Sequence, residues 1–202
     1  MGFPLSNVRI LDLTLIMAGP YCTLILGDLG AEVIKIEKPG IGESSREMPP
    51  YFFEDQSAYF IAMNRNKKSM TLDLKSEKGK KIFYDLAKTS DVVIDNFRPG
   101  VVKKLGVDFN TLKKLNPRII CCSISGYGQT GPFNARPAFD LVIQERGGIM
   151  SYTGEPGQIP VRMGAPMGDL SGGLFASQGI LAALYQREKT GRGQQIDISL
   201  VD

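Results

Sequence analysis

A single carboxylate, Asp169, stands among glycines in the run Gly164-Ala165-Pro166-Met167-Gly168-Asp169-Leu170-Ser171-Gly172-Gly173, directly before a long apolar helical pattern. Glycine tolerates unusual backbone angles and close ligand approach, so a short side chain here can stand open at a cleft. The turn that follows supplies free N–H groups that favour negative charge. This combination suits a nucleophilic carboxylate attacking a thioester, a reaction that must stabilise an oxyanion. Asp is equally a preferred helix N-cap, and Gly-Asp before a helix commonly serves only that purpose. The run by itself leaves both readings open.

The rest of the composition narrows the chemistry. No histidine occurs among the 202 residues, which removes Ser-His-Asp and Cys-His catalysis and histidine metal ligation. Proton transfer falls to carboxylates, lysines, tyrosines and cysteines. Cys22, Cys121 and Cys122 are odd in number, and the adjacent pair lies in an apolar run, so they read as buried hydrophobes rather than disulfide partners. A net charge of +3 is too mild to point to nucleic acid. No apolar run reaches the length of a membrane span, and Met1-Gly2-Phe3-Pro4 does not open a signal peptide. Gly2 fits a myristoylation pattern only loosely. The expectation is a cytoplasmic protein without a membrane partner.

These residues need elements to position them. With 43% hydrophobic content the chain, residues 1–202, can bury one sizeable core. Strand patterns stand at Val8–Leu13, Ala31–Glu37, Met70–Leu74, Asp91–Asp95, Arg118–Ile124 and Gly193–Leu200. Helical patterns lie between them at about 19–29, 76–88, 101–105, 110–115, 138–150 and 170–187, with Glu77 and Lys81 spaced for an i,i+4 pair. Residues 41–66 read as a long surface excursion of the kind that often carries function. The alternation predicts an α/β fold with a doubly wound, mainly parallel sheet. Ligands collect beyond the carboxyl ends of such strands, here Thr14–Pro20, Glu37–Pro39, Asn96–Pro99 and Ser125–Gly128. Glu37 at the end of a second strand imitates a dinucleotide fingerprint, but Gly19, Gly27 and Gly30 do not form G-x-G-x-x-G. The final strand runs to Asp202 without a following helix, which reads as a break inside a larger protein or one part of a split one.

Several blocks together resemble the class III CoA-transferases, the formyl-CoA transferase and carnitine CoA-transferase group. They are Met17-Ala18-Gly19-Pro20, Leu29–Pro39, Asn64-Arg65-Asn66-Lys67-Lys68, Asp95-Asn96-Phe97-Arg98-Pro99-Gly100, Ser125–Pro132, Gly168–Gly173 and Thr190–Gln194. The resemblance covers essentially the whole chain. It implies a Rossmann-like CoA-binding and catalytic domain that lacks its C-terminal completion and a second, smaller domain.

By that resemblance Asp169 is the nucleophile. It attacks a donor acyl-CoA to give a mixed anhydride, then an aspartyl-CoA thioester, from which an acceptor acid regenerates acyl-CoA. A carboxylate with an ordinary pKa of about 3.9 needs no histidine base for this. Asn96, Phe97 and Arg98 match the CoA-contacting block, Lys38, Leu72 and Lys75 fall where the nucleotide end lies, and Lys104 is a further candidate. For the lysines the alternative is an ordinary solvated face. Tyr59 and Tyr127 are candidates for the acyl pocket or for packing. Leu15, Ile16 and Met17 are apolar where the formyl-CoA branch is polar, which favours a larger or less polar acid than formate or oxalate, unless these residues are core. Phe139-Asp140 replaces the His-Asp pair of the related racemases, so that chemistry is closed and Asp140 reads as structural. CoA or acyl-CoA is expected as substrate, with no metal, flavin or nicotinamide. The resemblance also implies a homodimer, interlocked, or a second chain supplying the C-terminal part. A non-catalytic CoA-binding module and a lyase or hydrolase variant are the competing readings.

Overall fold

The computed structural model describes residues 2–202; Met1, read above as part of a non-signal start, lies outside the described residues. In chain order the elements are β1 (Arg9–Asp12), α1 (Ala18–Asp28), β2 (Glu32–Glu37), β3 (Phe52–Phe53), β4 (Gln56–Ser57), α2 (Ala58–Asn64), β5 (Lys67–Thr71), α3 (Glu77–Ala87) and β6 (Val92–Asp95). They continue with α4 (Val101–Leu105), α5 (Phe109–Leu115), β7 (Ile120–Ser125), α6 (Asp140–Arg146), α7 (Met167–Thr190) and β8 (Gln195–Ser199). The main sheet has six parallel strands in the order β5-β2-β1-β6-β7-β8.

The central strands are continuous apolar runs because both faces are covered, and their side chains alternate between two cores. Ile10, Val92, Ile94, Ile120, Cys122 and Ile124 point to one layer, where Cys22 and Leu26 of α1 meet Ala176, Ile180 and Ala183 of α7. Leu11, Val93 and Cys121 point to the other, against Phe83 of α3 and Leu112 of α5. All three cysteines are free and buried, and burial pushes their thiols above the ordinary range. The strand order reverses between β1 and β6, which puts the ligand crevice of a doubly wound sheet outside the carboxyl ends of those two strands.

Several expected boundaries move. The edge strand is Lys67–Thr71 instead of Met70–Leu74, since its register is set by β2, from Val33 opposite Lys67 to Glu37 opposite Thr71. Leu72 is then freed to cover the second core from a loop. The stretch 41–66 is not a plain surface excursion: it contains a 3-10 turn at Ser44–Glu47, the β3–β4 hairpin and α2, and it buries Glu43, Ser45, Ser57 and Phe60. The helix expected over 138–150 ends at Arg146, where Gly147 and Gly148 break it, Gly148 at φ +76°. On α3, Glu77 pairs with Lys80 at 3.0 Å and not with Lys81.

α7 starts at Met167, three residues before the helix expected from 170, and so takes in Gly168 and Asp169 ahead of Gly172 and Gly173. These glycines are packing devices. A Cβ on Gly172 would lie 2.2 Å from Leu200, and one on Gly173 would lie 2.5 Å from the Ala18 carbonyl oxygen. The smallness of Gly173 lets α7 sit directly on the start of α1, and that of Gly172 admits Leu200. In an open helix Gly→Ala stabilises by about 1 kcal/mol. Gly173→Ala should instead destabilise, by about 1–3 kcal/mol, because the obstacle is backbone and cannot turn aside. A thermal midpoint equal to or above that of the wild type would contradict this packing.

Candidate active site

α7 runs back from the carboxyl edge of the sheet, so its first turn stands at the crevice side of the molecule. Its N-cap is Pro166, which offers no side-chain acceptor. Asp140 of α6 takes over that role: one carboxylate oxygen accepts from the Gly168 N–H at 2.8 Å and the Asp169 N–H at 3.2 Å. Gln144, one helical turn later, donates to Asp140 at 2.6 Å and accepts from the Met163 N–H at 2.8 Å. α6 thus fastens the entry into α7, and the structural reading of Asp140 gains a definite content.

Asp169 is the third residue of α7 and caps nothing, which corrects the N-cap alternative. Among the described residues its carboxylate accepts no hydrogen bond. Burial, and then the neighbouring Asp140 charge, push its pKa up to about 6. The group is a desolvated carboxylate with free oxygens, still ionised at neutral pH. Tyr59 of α2 lies within range of its charge. Burial and the Asp169 and Glu43 charges hold the phenol well above its ordinary pKa, so it remains a proton-bearing donor.

A cleft of about 440 Å³ opens at the carboxyl ends of β1, β2, β5 and β6, lined among others by Leu15, Lys38, Leu72, Lys75 and Phe97. Five of the residues proposed from sequence are therefore brought together. Leu72 is a buried wall, and the two lysines are exposed at the rim. Asn96 is used differently. Its amide oxygen accepts from the Leu15 N–H at 2.9 Å and its NH₂ donates to the Leu15 carbonyl at 2.7 Å, a clamp across the switch point. Arg98 and Lys104 are exposed beside the cleft and do not line it. Met17 precedes the first turn of α1. Tyr127 lies in a different recess with Thr130, Phe175 and Ser199, its ring 6.0 Å from that of Phe133. It does not line the switch-point cleft.

Sequence reasoning missed the charged layer beneath the cleft. Asp12 is fully buried at the end of β1 and lies 3.2 Å from Lys67, while Thr14 and Thr23 donate to it at 2.5 and 2.6 Å. Lys35, also buried, donates to the Thr14 carbonyl at 2.8 Å and faces Glu43 at 3.5 Å. Glu37 binds Arg46 through both oxygens, at 2.6 and 2.7 Å, and accepts from Ser69 at 2.6 Å. Burial alone would raise Glu37; Arg46, Ser69 and the Glu43 N–H outweigh it and hold the carboxyl at about 2. Glu37 is thus committed inside the protein, consistent with the missing dinucleotide fingerprint. The available signal was Lys35, a lysine in the middle of Val33-Ile34-Lys35-Ile36, which demands a buried partner. Among the described residues no cluster could hold a metal ion, and no helix is long and apolar enough to cross a membrane.

The fold and site define a doubly wound α/β protein with a cleft at the switch point of its sheet and a desolvated carboxylate, Asp169, in the first turn of α7, which does not itself line that cleft. The chain belongs to CoA-transferase family III, whose model matches residues 5–202. It is 46% identical to succinyl-CoA:glutarate CoA-transferase of Mus musculus over 98% of this chain and 45% of that protein. It is 47% identical to acetyl-CoA:oxalate CoA-transferase of Acetobacter aceti over 98% of this chain and 51% of that one. The crystal structure of a CaiB/BaiF family protein from Brucella suis superposes with a TM-score of 0.95 at 42% identity, covering all of this chain and 54% of that chain. The chain spans about half the length of the curated relatives it matches.

The raised Asp169 carboxyl has a consequence for stability. A group whose folded pKa lies above its unfolded value favours folding below the unfolded value, and this contribution is lost as pH rises through the folded value. For Asp169 that window runs from 3.8 to about 6. Asp169→Asn should therefore melt higher than wild type at pH 7.5, with the gain shrinking through this window and absent at pH 3.5. An equal or lower midpoint at pH 7.5 would contradict the desolvated setting.

Proposed function

We propose that the whole protein is an acyl-CoA:carboxylate CoA-transferase in which Asp169 is the covalent nucleophile. The observation that carries the reading is the Asp169 carboxylate itself: ionised, desolvated, without a hydrogen-bonding partner, and set at the carboxyl edge of a family III fold. The relatives named above are CoA-transferases, and their names include glutarate and oxalate.

In this reading one Asp169 oxygen attacks the thioester carbonyl, and CoA leaves as thiolate, giving an aspartyl–acyl anhydride. The thiolate then attacks the aspartyl carbonyl, forming aspartyl-CoA and releasing the donor acid with one of the original aspartate oxygens. The acceptor carboxylate attacks aspartyl-CoA, the thiolate leaves again, and its attack on the new acyl carbonyl yields the product acyl-CoA and free Asp169. No step requires a proton from histidine, and an ionised carboxylate is the species that attacks. Tyr59, held protonated, is suited to donate to an oxyanion near Asp169. CoA would lie along the cleft, its apolar arm against Leu15, Leu72 and Phe97 and its phosphates near Lys38 and Lys75, with Arg98 and Lys104 within the same exposed basic margin. Asn96 serves CoA indirectly, by holding Leu15 at the cleft wall. Leu15 and Met17 keep the apolar character that favours an acid larger or less polar than formate or oxalate, whereas one of the relatives named above carries oxalate in its name. A homodimer, or a second chain, would complete the site.

Asp169→Ala should abolish transfer; retention of wild-type turnover would overturn the assignment. Because the ionised form attacks, kcat/KM should fall as pH drops below about 6. Asp140→Asn removes the like charge while keeping an acceptor for the α7 amides, so the acidic limb should move to lower pH. A limb that stays in place or rises would show that Asp140 does not act on Asp169. Lys38→Ala and Lys75→Ala should raise KM for acyl-CoA several-fold with little change in kcat, an effect that shrinks with added salt; KM values equal to wild type would place the phosphates elsewhere.

A further inference from the structure

The loop Thr14-Leu15-Ile16 between β1 and α1 is held residue by residue from other parts of the fold. Lys35 of β2 donates to the Thr14 carbonyl at 2.8 Å. Asn96 closes both backbone groups of Leu15, at 2.9 and 2.7 Å. Glu43, from the segment after β2, accepts from the Ile16 N–H at 2.9 Å. Ile16 has φ +67°, in the left-handed region, where a β-branched side chain is sterically opposed. Such a conformation persists only where its surroundings over-determine it. Here the over-determination comes from an ion pair whose two members grip the same loop, Lys35 at one end and Glu43 at the other. Both side chains are essentially fully buried.

Glu43 also accepts from the Ser45 N–H at 3.1 Å, capping the short turn at Ser44–Glu47. That local duty does not require a reach of 27 residues to Ile16, nor a lysine buried in mid-sheet. The loop, by contrast, is joined to both parts of the proposed site. Leu15 lines the cleft, and Ala18, two residues after Ile16, sets its carbonyl against the backbone at Gly173, one helical turn beyond Asp169 and on the same face of α7. The charges of Asp169 and Glu43 both act on Tyr59. Movement of Ile16 therefore changes where the cleft ends relative to the nucleophile.

We propose that Glu43 is a positioning residue: it holds Ile16 in the left-handed conformation and so aligns the end of the CoA cleft with Asp169. The proposal rests on the reading of Asp169 as nucleophile. It touches no reacting atom, so its removal should act on turnover more than on CoA binding.

The test uses the full-length protein and steady-state transfer. Glu43→Gln places an amide donor either on Ile16 or on Lys35 and cannot satisfy both. It should lower kcat by roughly 10- to 100-fold, as misplacement of reacting groups by about an ångström does, with KM for acyl-CoA changed less than about threefold. Ile16→Gly accepts φ +67° without steric opposition. Added to Glu43→Gln, it should recover a substantial part of the lost kcat, a rescue that simple loss of stability would not show. Glu43→Asp keeps the charge opposite Lys35 with a shorter reach, and it should fold and still lose kcat even where Glu43→Gln does not fold. Wild-type kcat in Glu43→Asp or Glu43→Gln, or a loss that Ile16→Gly leaves untouched, would overturn the positioning role. Asp169→Ala in the same assay separates the two readings. If it is inactive while the Glu43 variants run at wild-type kcat, only the positioning role falls; if it is active, both fall.

Discussion

A lysine can be buried in the middle of a parallel sheet only if a carboxylate is buried with it, and the carboxyl edge of this sheet meets that condition repeatedly. Asp12 with Lys67, Glu43 with Lys35 and Glu37 with Arg46 form a balanced layer under the cleft. Removing one member of such a pair is far more damaging than the pair is stabilising, since an uncompensated buried charge costs several kcal/mol. The layer also joins β1, β2, β5 and the segment after β2, whose apolar contacts alone do not define the loops between them. Burial would raise Asp12, but Lys35 and Lys67, with Thr14 and Thr23, hold it well below the usual carboxylate range. Asp12 is thus held ionised around neutral pH, and its bonds to Thr14 fix the start of the loop above it.

Asp169 stands in contrast to those carboxylates. Its neighbours compensate none of its charge, and Asp140 opposes it while satisfying the amides of α7. A fold that pairs Asp12, Glu37 and Glu43 with cations leaves, among the described residues, the Asp169 carboxylate without a hydrogen-bonding partner at the start of its longest helix and the buried Asp95 without a cation at the end of β6, each at an electrostatic cost. Such cost is tolerated where chemistry uses it. Gly173 serves the same end, since it brings the helix that carries Asp169 against the start of α1.

Much of the architecture was legible because it depends on local pattern. The apolar runs at Val92–Asp95 and Ile120–Ser125 could only be strands covered on both faces, and the alternation of strands with helices led to the parallel sheet. What was not legible depends on partners distant in the chain. The edge strand was displaced because β2, rather than its own alternation, sets its register. Gly168 and Asp169 read as a turn ahead of the helix because glycine opposes helix formation locally, and the Asp140 carboxylate that holds their amides lies 28 and 29 residues away in the chain. The cleft residues Lys38, Leu72, Lys75 and Phe97 came from family resemblance and do converge, whereas Tyr127 does not join them. Glu43 was invisible, since a glutamate in a charged, turn-rich stretch reads as solvated until Ile16 and Lys35 are found around it.

The most direct test of the central claim follows the oxygen atoms. Each complete cycle through an aspartyl anhydride should leave one acceptor oxygen on the nucleophile. The full-length protein would be turned over with an acceptor acid labelled with oxygen-18 in its carboxylate, then digested and its peptides weighed. Heavy oxygen on the peptide carrying Asp169, at that side chain and accumulating with turnover, is the predicted result. An unlabelled Asp169 after many turnovers, or label on a different carboxylate, would contradict Asp169 as the covalent nucleophile.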